Sequence, residues 1–297
     1  MKPFRVGFLF NHNSTHQVGH SLPIAQALVR DYPDVDVNLY VAPGRCEEEV
    51  RNILQGSEHA IGAEKIIRLR PPSVPSSVVH VATGKSVPAD RVSILARNLA
   101  HFRSLDALVV PEKTSLILKS WFGLKNLALI HTRHGAGDRA IGFDKSSAKF
   151  DLVLMSGKKI RDRLESSKAI KENQFAIVGY PKFDIPQSGV TERFFKNDRP
   201  TVLYNPHPSP ALSSWYKIGP GILKWFARQD TYNLIFAPHV MLFSKKWTIG
   251  LSPFGISRVP AIPEEAKGRP NIWIDTGSRK SVDMTYTASA DIYLGDA

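Results

Sequence analysis

Short apolar segments alternate with amphipathic ones along the first half of the chain. The apolar runs have the length of buried strands, and segments with apolar residues at helical spacing follow most of them. This alternation predicts a mostly parallel sheet covered by helices on both faces, as in a doubly wound domain. The predicted strands are at residues 5–10, 37–41, 66–69, 107–110, 126–130, 152–155 and 175–178, and the predicted helices at 22–29, 46–54, 90–102, 114–121 and 158–164.

The same alternation returns after a segment that contains Gly189 and ends at Pro200. We therefore expect an α/β chain of two Rossmann-like, doubly wound domains that face each other across a cleft. The expected boundaries are residues 1–185 for the first domain, 186–199 for a linker and 200–297 for the second domain. Strands of the second domain are predicted at 201–204, 234–237, 271–275 and 291–294, with a helix at 221–228.

A loop rich in glycine and cations follows the predicted strand at 126–130. Gly135 lets the backbone turn sharply and approach a ligand closely. Arg133 and Arg139 offer fixed positive charge to a phosphate, and His134 can exchange a proton near neutral pH. Because ligands of α/β sheets usually bind beyond the carboxyl ends of the strands, this loop is a predicted binding site.

Basic residues outnumber acidic ones by 39 to 27 in the 297-residue chain, which gives a formal net charge of +12. Such an excess attracts anions, and the candidates are a nucleotide, an anionic polymer, an acidic membrane surface or nucleic acid. A single cysteine, Cys46, excludes an intramolecular disulfide and fits a reducing compartment. No apolar run approaches the length of a membrane span. We expect a cytoplasmic protein.

Several segments resemble, in their order along the chain, the motifs of the CDP-glycerol glycerophosphotransferases, which are the teichoic acid polymerases and primases. His134-Gly135, followed by Arg139 and Gly142, has the spacing of the family's HG…K..G motif, with arginine at the lysine position. Residues 179–184, Gly-Tyr-Pro-Lys-Phe-Asp, resemble its G.PR.D segment. Three further segments resemble its second-domain motifs: 201–206, 234–239 and 290–296.

The resemblance implies a GT-B fold and the transfer of glycerol phosphate, or a similar polyol phosphate, from a CDP-linked donor. The second domain would hold most of the donor, and the acceptor would be a hydroxyl of a cell-envelope polymer or lipid-linked primer at the inner face of the membrane. In the family, phosphate-binding serines follow the last aspartate, whereas this sequence stops at Ala297. We therefore expect an incomplete second domain in a truncated chain.

The resemblance also suggests roles for individual residues. His134 is the candidate general base, because a hydroxyl is a poor nucleophile. His239, helped by Arg139, is the candidate for stabilising the CMP leaving group. The interpretation of His207 stays open between a residue that lines the cleft and a turn histidine. The other predicted substrate- or phosphate-binding residues are Arg133, Gly135, Asp296 and the segment Thr276, Gly277 and Ser278, which is either a backbone cradle for phosphate or a surface turn.

His16 and His20 lie in a polar segment, after His12, at a spacing of four residues. No carboxylate or cysteine joins them at a recognised spacing, so we predict neither a metal nor another cofactor and assign them to acceptor binding. Aromatic residues interleaved with cations at 194–196, 224–228 and 243–247 suit an anionic membrane surface or polymer, or are ordinary amphipathic faces.

Two other functions remain open from the sequence. One is a GT-B glycosyltransferase, or a UDP-GlcNAc 2-epimerase-like enzyme, that uses a nucleotide sugar, because fold does not determine function. The other is a non-catalytic basic protein that binds membranes or nucleic acid. No RRM, KH or helix-turn-helix signature occurs, so we do not expect a nucleic-acid partner.

Overall fold

The computed structural model describes residues 2–11, 15–55, 57, 61–72, 89–132, 145–185, 192–244, 246–251, 254–281 and 283–296. The chain divides into two compact units, Met1–Pro186 and Gln187–Ala297. Each unit has an α/β sheet with a separate hydrophobic cluster on either face.

The first unit is built on a seven-stranded sheet in which all strands are parallel. The strand order is β3-β2-β1-β4-β5-β6-β7, so the order along the chain reverses between β1 and β4. This confirms the predicted doubly wound sheet, and such a reversal is where ligands of open α/β sheets usually bind. The strands are β1 (Phe4–Phe10), β2 (Val35–Val41), β3 (Ile66–Arg68), β4 (Ala107–Val110), β5 (Ala128–Thr132), β6 (Leu152–Met155) and β7 (Phe175–Ile177).

Successive residues of the central strands enter opposite cores, as the two-residue period of a strand requires. Phe8 and Phe10 pack in one cluster, and Leu9 packs in the other. None of the helices in the described ranges is long and apolar enough to cross a membrane. The helices of this unit are α1 (Leu22–Asp31), α2 (Arg45–Gln55), α3 (Ala89–Arg97), α4 (Leu99–Arg103), α5 (Ile117–Ser120) and α6 (Lys158–Ser166).

The structure corrects the predicted helix at 90–102, which is divided into α3 and α4 at Asn98. The Asn98 side chain is buried and bonds to the chain beyond β3. Its Oδ1 accepts from Arg70 N at 3.0 Å, and its Nδ2 donates to Arg70 O at 3.1 Å and to Ile94 O at 2.7 Å. The helix is therefore interrupted where Asn98 joins it to the sheet.

Two other local predictions were wrong. Residues Thr15–His20 form a 3-10 helix, whereas the sequence predicted a polar loop. The segment predicted as an α-helix at 114–121 begins as a 3-10 helix at Lys113–Leu116, and only Ile117–Ser120 is α-helical.

The second unit repeats the arrangement with four parallel strands in the order β12-β9-β8-β13. The order is that of the first four strands of a Rossmann sheet, with its reversal between β8 and β13. The strands are β8 (Thr201–Asn205), β9 (Asn233–Phe236), β12 (Ile272–Ile274) and β13 (Ile292–Gly295), and the helices are α7 (Gly219–Ala227) and α8 (Thr285–Ala288). Two strands that were not predicted come between β9 and β12 in the sequence and form a separate antiparallel pair. They are β10 (Trp247–Leu251) and β11 (Phe254–Arg258).

Part of the predicted linker packs onto the second unit. Phe195 is buried in a cluster with Leu203 and Tyr286, and the Phe194 ring lies 5.2 Å from that of Trp273. The described residues of the predicted linker, 192–199, are thus anchored by aromatic packing, whereas residues 186–191 lie outside the described ranges.

Candidate functional site

Polar residues follow each of the four parallel strands of the second unit. His207 comes two residues after β8, and His239 follows β9 after Ala237-Pro238. Asp275 and Asp296 come directly after β12 and β13. Because the carboxyl ends of parallel strands share one edge of a sheet, these four side chains belong to one candidate site, with β8 and β13 at the reversal of strand order.

The two histidines lie side by side, with ring centroids 6.0 Å apart. His207 Nδ1 accepts a hydrogen bond from Ser209 N at 3.0 Å, and His239 Nδ1 accepts one from Met241 N at 3.2 Å. A ring nitrogen that accepts a hydrogen bond carries no proton, so each neutral imidazole has its proton on Nε2. The loop geometry therefore assigns both rings the tautomer that donates from Nε2.

Asp296 holds the backbone that carries His207. Its Oδ2 accepts from His207 N at 2.7 Å, and its Oδ1 accepts from Ser214 N at 2.8 Å. The sequence predicted that Asp296 would bind substrate or phosphate. In the structure both oxygens fix the loop after β8, so Asp296 positions a histidine across the β8–β13 reversal. Its contact with substrate or phosphate stays a prediction.

Asp275 organises the turn after β12. Its Oδ1 accepts from Gly277 N at 2.9 Å and from Ser278 N at 2.8 Å, while its Oδ2 accepts from Tyr286 Oη at 2.6 Å and from Ser278 Oγ. The sequence suggested that the N–H groups of Thr276, Gly277 and Ser278 could cradle a phosphate. Those of Gly277 and Ser278 are already bonded to Asp275, so they do not form that cradle here.

These hydrogen bonds shift the ionisation of both partners. Burial by itself would raise the pKa of Asp275, but the hydrogen bonds from Ser278, Tyr286 and Gly277 outweigh it and lower that pKa to about 2. Burial and the hydrogen bond to Asp275 raise the pKa of Tyr286 to about 12. The carboxylate is therefore ionised and the phenol protonated throughout the physiological range.

In the first unit, the loop on which the sequence prediction centred lies outside the described ranges. The predicted site residues in this loop are Arg133, His134, Gly135 and Arg139, and the loop begins directly after β5. His131, near the end of that strand, is buried and stacks on Phe150 with 4.6 Å between ring centroids. The predicted roles of the loop residues remain predictions.

The structure describes only part of the histidine segment that was predicted to bind the acceptor. His12 lies outside the described ranges, and the backbone of His16 belongs to the 3-10 helix Thr15–His20. His20 is buried, and its ring packs edge-to-face with the ring of Tyr180, with 5.4 Å between the two ring centroids. Across the described part of the chain, no group of three or more His, Cys, Asp or Glu side chains could hold a metal ion.

Known structures share this fold over the whole chain, although no protein-family model and no curated protein matches the sequence. A putative UDP-N-acetylglucosamine 2-epimerase from Listeria monocytogenes superposes with a TM-score of 0.62 at 12% identity, covering 100% of this chain and 75% of that one. The UDP-GlcNAc 2-epimerase from Neisseria meningitidis, bound to UDP-GlcNAc, gives 0.60 at 12% identity, covering 99% and 78%. The wall teichoic acid polymerase TagF gives 0.54 at 13% identity, covering 99% and 66%.

These similarities define the class of fold. At such low identity they show architecture alone, which agrees with the two parallel Rossmann-like sheets. The chain therefore has a GT-B-type α/β fold. The same architecture serves a polymerase and the epimerases, so the activity has to be argued from the site.

Proposed function

We propose that this protein is a GT-B transferase that moves glycerol phosphate, or a similar polyol phosphate, from a CDP-linked donor to an acceptor hydroxyl. The acceptor belongs to a cell-envelope polymer or a lipid-linked primer. The observation that carries the proposal is the pair His207 and His239, two fixed Nε2–H donors at the carboxyl edge of the second sheet. A nucleoside diphosphate carries oxygens that such a pair can bind.

The reaction forms a bond between the acceptor oxygen and the β-phosphorus of the donor and breaks the bond from that phosphorus to the oxygen of CMP. Charge accumulates on the departing CMP, and donors already held in place stabilise it without reorganisation. We assign this role to His239, with His207 beside it and Asp296 fixing the His207 loop. The proposed reaction uses the CDP-linked donor as a substrate and requires no metal ion or other cofactor.

The acceptor proton needs a base, and we assign it to His134 on the strength of the sequence motif. Arg133, Gly135 and Arg139 of the same loop are assigned to phosphate binding. His134→Ala should lower turnover by about two to four orders of magnitude while CDP-glycerol binding persists, since a general base contributes on that scale. Turnover close to that of the unmodified protein would overturn this assignment.

Calorimetric titration of the chain with CDP-glycerol, CMP, UDP-GlcNAc and UMP tests the proposal directly. We expect cytidine ligands to bind, and His239→Leu to weaken them by about tenfold or more, since leucine has no donor and hydrogen bonds to charged groups contribute roughly 1.5–3 kcal/mol. His101→Leu is the matched control, because His101 packs beside Tyr40 in the first unit. Unchanged cytidine affinity in His239→Leu would refute the proposed role of the histidine pair.

A nucleotide-sugar enzyme is the second candidate, because two of the structures with the same fold are UDP-GlcNAc 2-epimerases. Binding of UDP-GlcNAc without CDP-glycerol would favour it. Binding of no nucleotide, together with strongly salt-dependent binding of a polyanion, would favour a non-catalytic basic protein.

We further propose that the protein is cytoplasmic and contacts the inner membrane face. Trp225 and Trp247 are 55% and 58% exposed, and Lys224, Lys246 and Arg228 are close to them in the sequence. Aromatic rings interleaved with cations suit an anionic surface. Sedimentation with anionic vesicles but not with neutral ones is the expected result.

A further inference from the structure

A proline interrupts the hydrogen bonds between β8 and β9 at the end that carries the histidine pair. Asn205 is the last residue of β8, and Pro206 follows it. Before the interruption, Ala237 N donates to Tyr204 O at 3.1 Å. Beyond it, His239 N donates to Pro206 O, also at 3.1 Å. The pairing of the two strands therefore continues past both of their ends, as far as His239.

The bond that is missing between these two is one that a proline cannot make. In a parallel ladder at this register, the backbone N–H of residue 206 would donate to Ala237 O. Proline has no backbone N–H. Asn205 Nδ2 donates to Ala237 O instead, at 2.5 Å. The side chain of one residue thus replaces the backbone donor that the next residue lacks.

The partners of the Asn205 amide determine its orientation. A backbone carbonyl only accepts hydrogen bonds, so the amide nitrogen has to face Ala237. The amide oxygen is then turned towards β13, where Tyr293 Oη donates to Asn205 Oδ1 at 3.3 Å. The Tyr293 ring lies over Gly295, where an added Cβ atom would collide with it. One side-chain amide therefore connects β8 to the strands on both of its sides.

This amide joins the two loops that carry the histidines. His207 directly follows Pro206, and His239 comes two residues after Ala237. The bonds around Asn205 therefore fix the backbone from which each ring projects, and the ring centroids are 6.0 Å apart. Hydrogen bonds weaken steeply when donor and acceptor are misaligned, so two donors serve one diphosphate only if their spacing is kept.

We propose that Asn205 is a positioning residue for the histidine pair. By replacing the donor that Pro206 lacks, it holds His239 at the distance from His207 that a nucleoside diphosphate requires. The use of the pair in nucleotide binding rests on the proposed function, whereas the hydrogen bonds of Asn205 belong to the free protein. Because Asn205 acts through His239, its substitution has a pattern of effects that a general loss of stability does not have.

A double-mutant cycle in calorimetry tests the proposal. Asn205→Leu keeps the approximate size of the side chain and removes both of its hydrogen bonds. We expect it to weaken CMP by about fivefold or more, because a misaligned donor contributes less to a charged ligand. In a His239→Leu background the same change should have no further effect, since the residue through which Asn205 acts is absent. Equal weakening in both backgrounds would overturn the proposal.

A rescue variant tests the role of the missing donor. Pro206→Ala supplies a backbone N–H where the ladder lacks one, so adding it to Asn205→Leu should bring CMP affinity back to within about twofold of that of the unmodified protein. No recovery would contradict the argument. Asn197→Leu is the matched control, because Asn197 is a half-buried asparagine of the same unit that accepts from Arg199 N and from Asn233 Nδ2. It should leave CMP affinity unchanged.

NMR spectra of the imidazole nitrogens in the free protein separate this proposal from the proposed function. The His239 Nδ1 signal reports the hydrogen bond from Met241 N. Asn205→Leu should shift the His239 signals, and the added Pro206→Ala should move them back. If the unmodified protein binds no cytidine ligand, the proposed function fails, and these spectra still decide the role of Asn205. His239 signals that stay unchanged in Asn205→Leu would refute that role.

Discussion

The hydrogen bond between Tyr286 and Asp275 should make the stability of the second unit depend on pH. Tyr286 is buried, and its Oη donates to Asp275 Oδ2 at 2.6 Å. Tyr286→Phe removes this donor and leaves the ring. The carboxylate then loses one of the bonds that lower its pKa, so the variant should be less stable wherever Asp275 is ionised.

The magnitude follows from the pKa of Asp275, which falls from 3.8 to about 2 on folding. At 1.36 kcal/mol per pKa unit this corresponds to roughly 2.4 kcal/mol for all its partners together. Because Asp275 is partly exposed, solvent screening reduces the figure to about 1 kcal/mol. The folded pKa is depressed, so this stability is present above pH 3.8 and is lost as the pH falls towards 2.

The assay is urea denaturation of the unmodified protein and of Tyr286→Phe at pH 7 and again near pH 2.5, followed by near-UV circular dichroism. We expect the variant to lose about 0.5–1 kcal/mol at pH 7 and a smaller amount near pH 2.5. Tyr293→Phe is the control, since its exposed hydroxyl lies 3.3 Å from Asn205 Oδ1 and does not touch Asp275. A deficit for Tyr286→Phe that is equal at both pH values would refute the argument.

Four further substitutions test features of the two units. Asp296→Asn should weaken nucleotide binding by about tenfold in calorimetry and lower Tm slightly, because an amide accepts only one of the two N–H groups that the carboxylate holds. Asn98→Ala should cost about 1–3 kcal/mol in urea denaturation, because the part-buried N–H and C=O of Arg70 and the buried C=O of Ile94 lose their partner. Gly19→Ala should cost about 1–3 kcal/mol by overpacking. Gly221→Ala in α7, where a Cβ meets nothing within 4 Å, should be neutral or stabilising.

The parallel sheets were predictable because their signal is local. The apolar run that ends at Phe10, all four residues of β4 and the last three residues of β6 are buried, and such runs are visible without knowledge of their neighbours. The positions of His207 and His239 were predictable for the same reason, since each follows a strand. The strand order then placed them at one edge.

What the sequence could not show depends on distant partners. Asn98 fits the helical spacing around it, and only its bonds to Arg70, 28 residues earlier, divide the helix. The turn at 276–278 has the composition of a phosphate cradle, but Asp275 takes up two of its N–H groups. No strand was predicted at β10 or β11, since the basic aromatic segment at 243–247 overlaps the pair only at Trp247 and each strand contains a glycine that weakens its apolar alternation.

The order of strands in the second unit also affects how the site forms during synthesis. β8 pairs with β13 in parallel, and Asp291 Oδ2 accepts from Thr201 N across 90 residues of chain. Contacts of such high sequence separation form late, because the entropy of closing a long loop must be overcome first. A nascent chain that has emerged only as far as α8 can pair β8 with β9, but it lacks the carboxylate of Asp296 that fixes the His207 loop. The nucleotide binding that we propose should therefore appear only after β13 has paired with β8, so a binding assay would show when the strand order of this unit is complete.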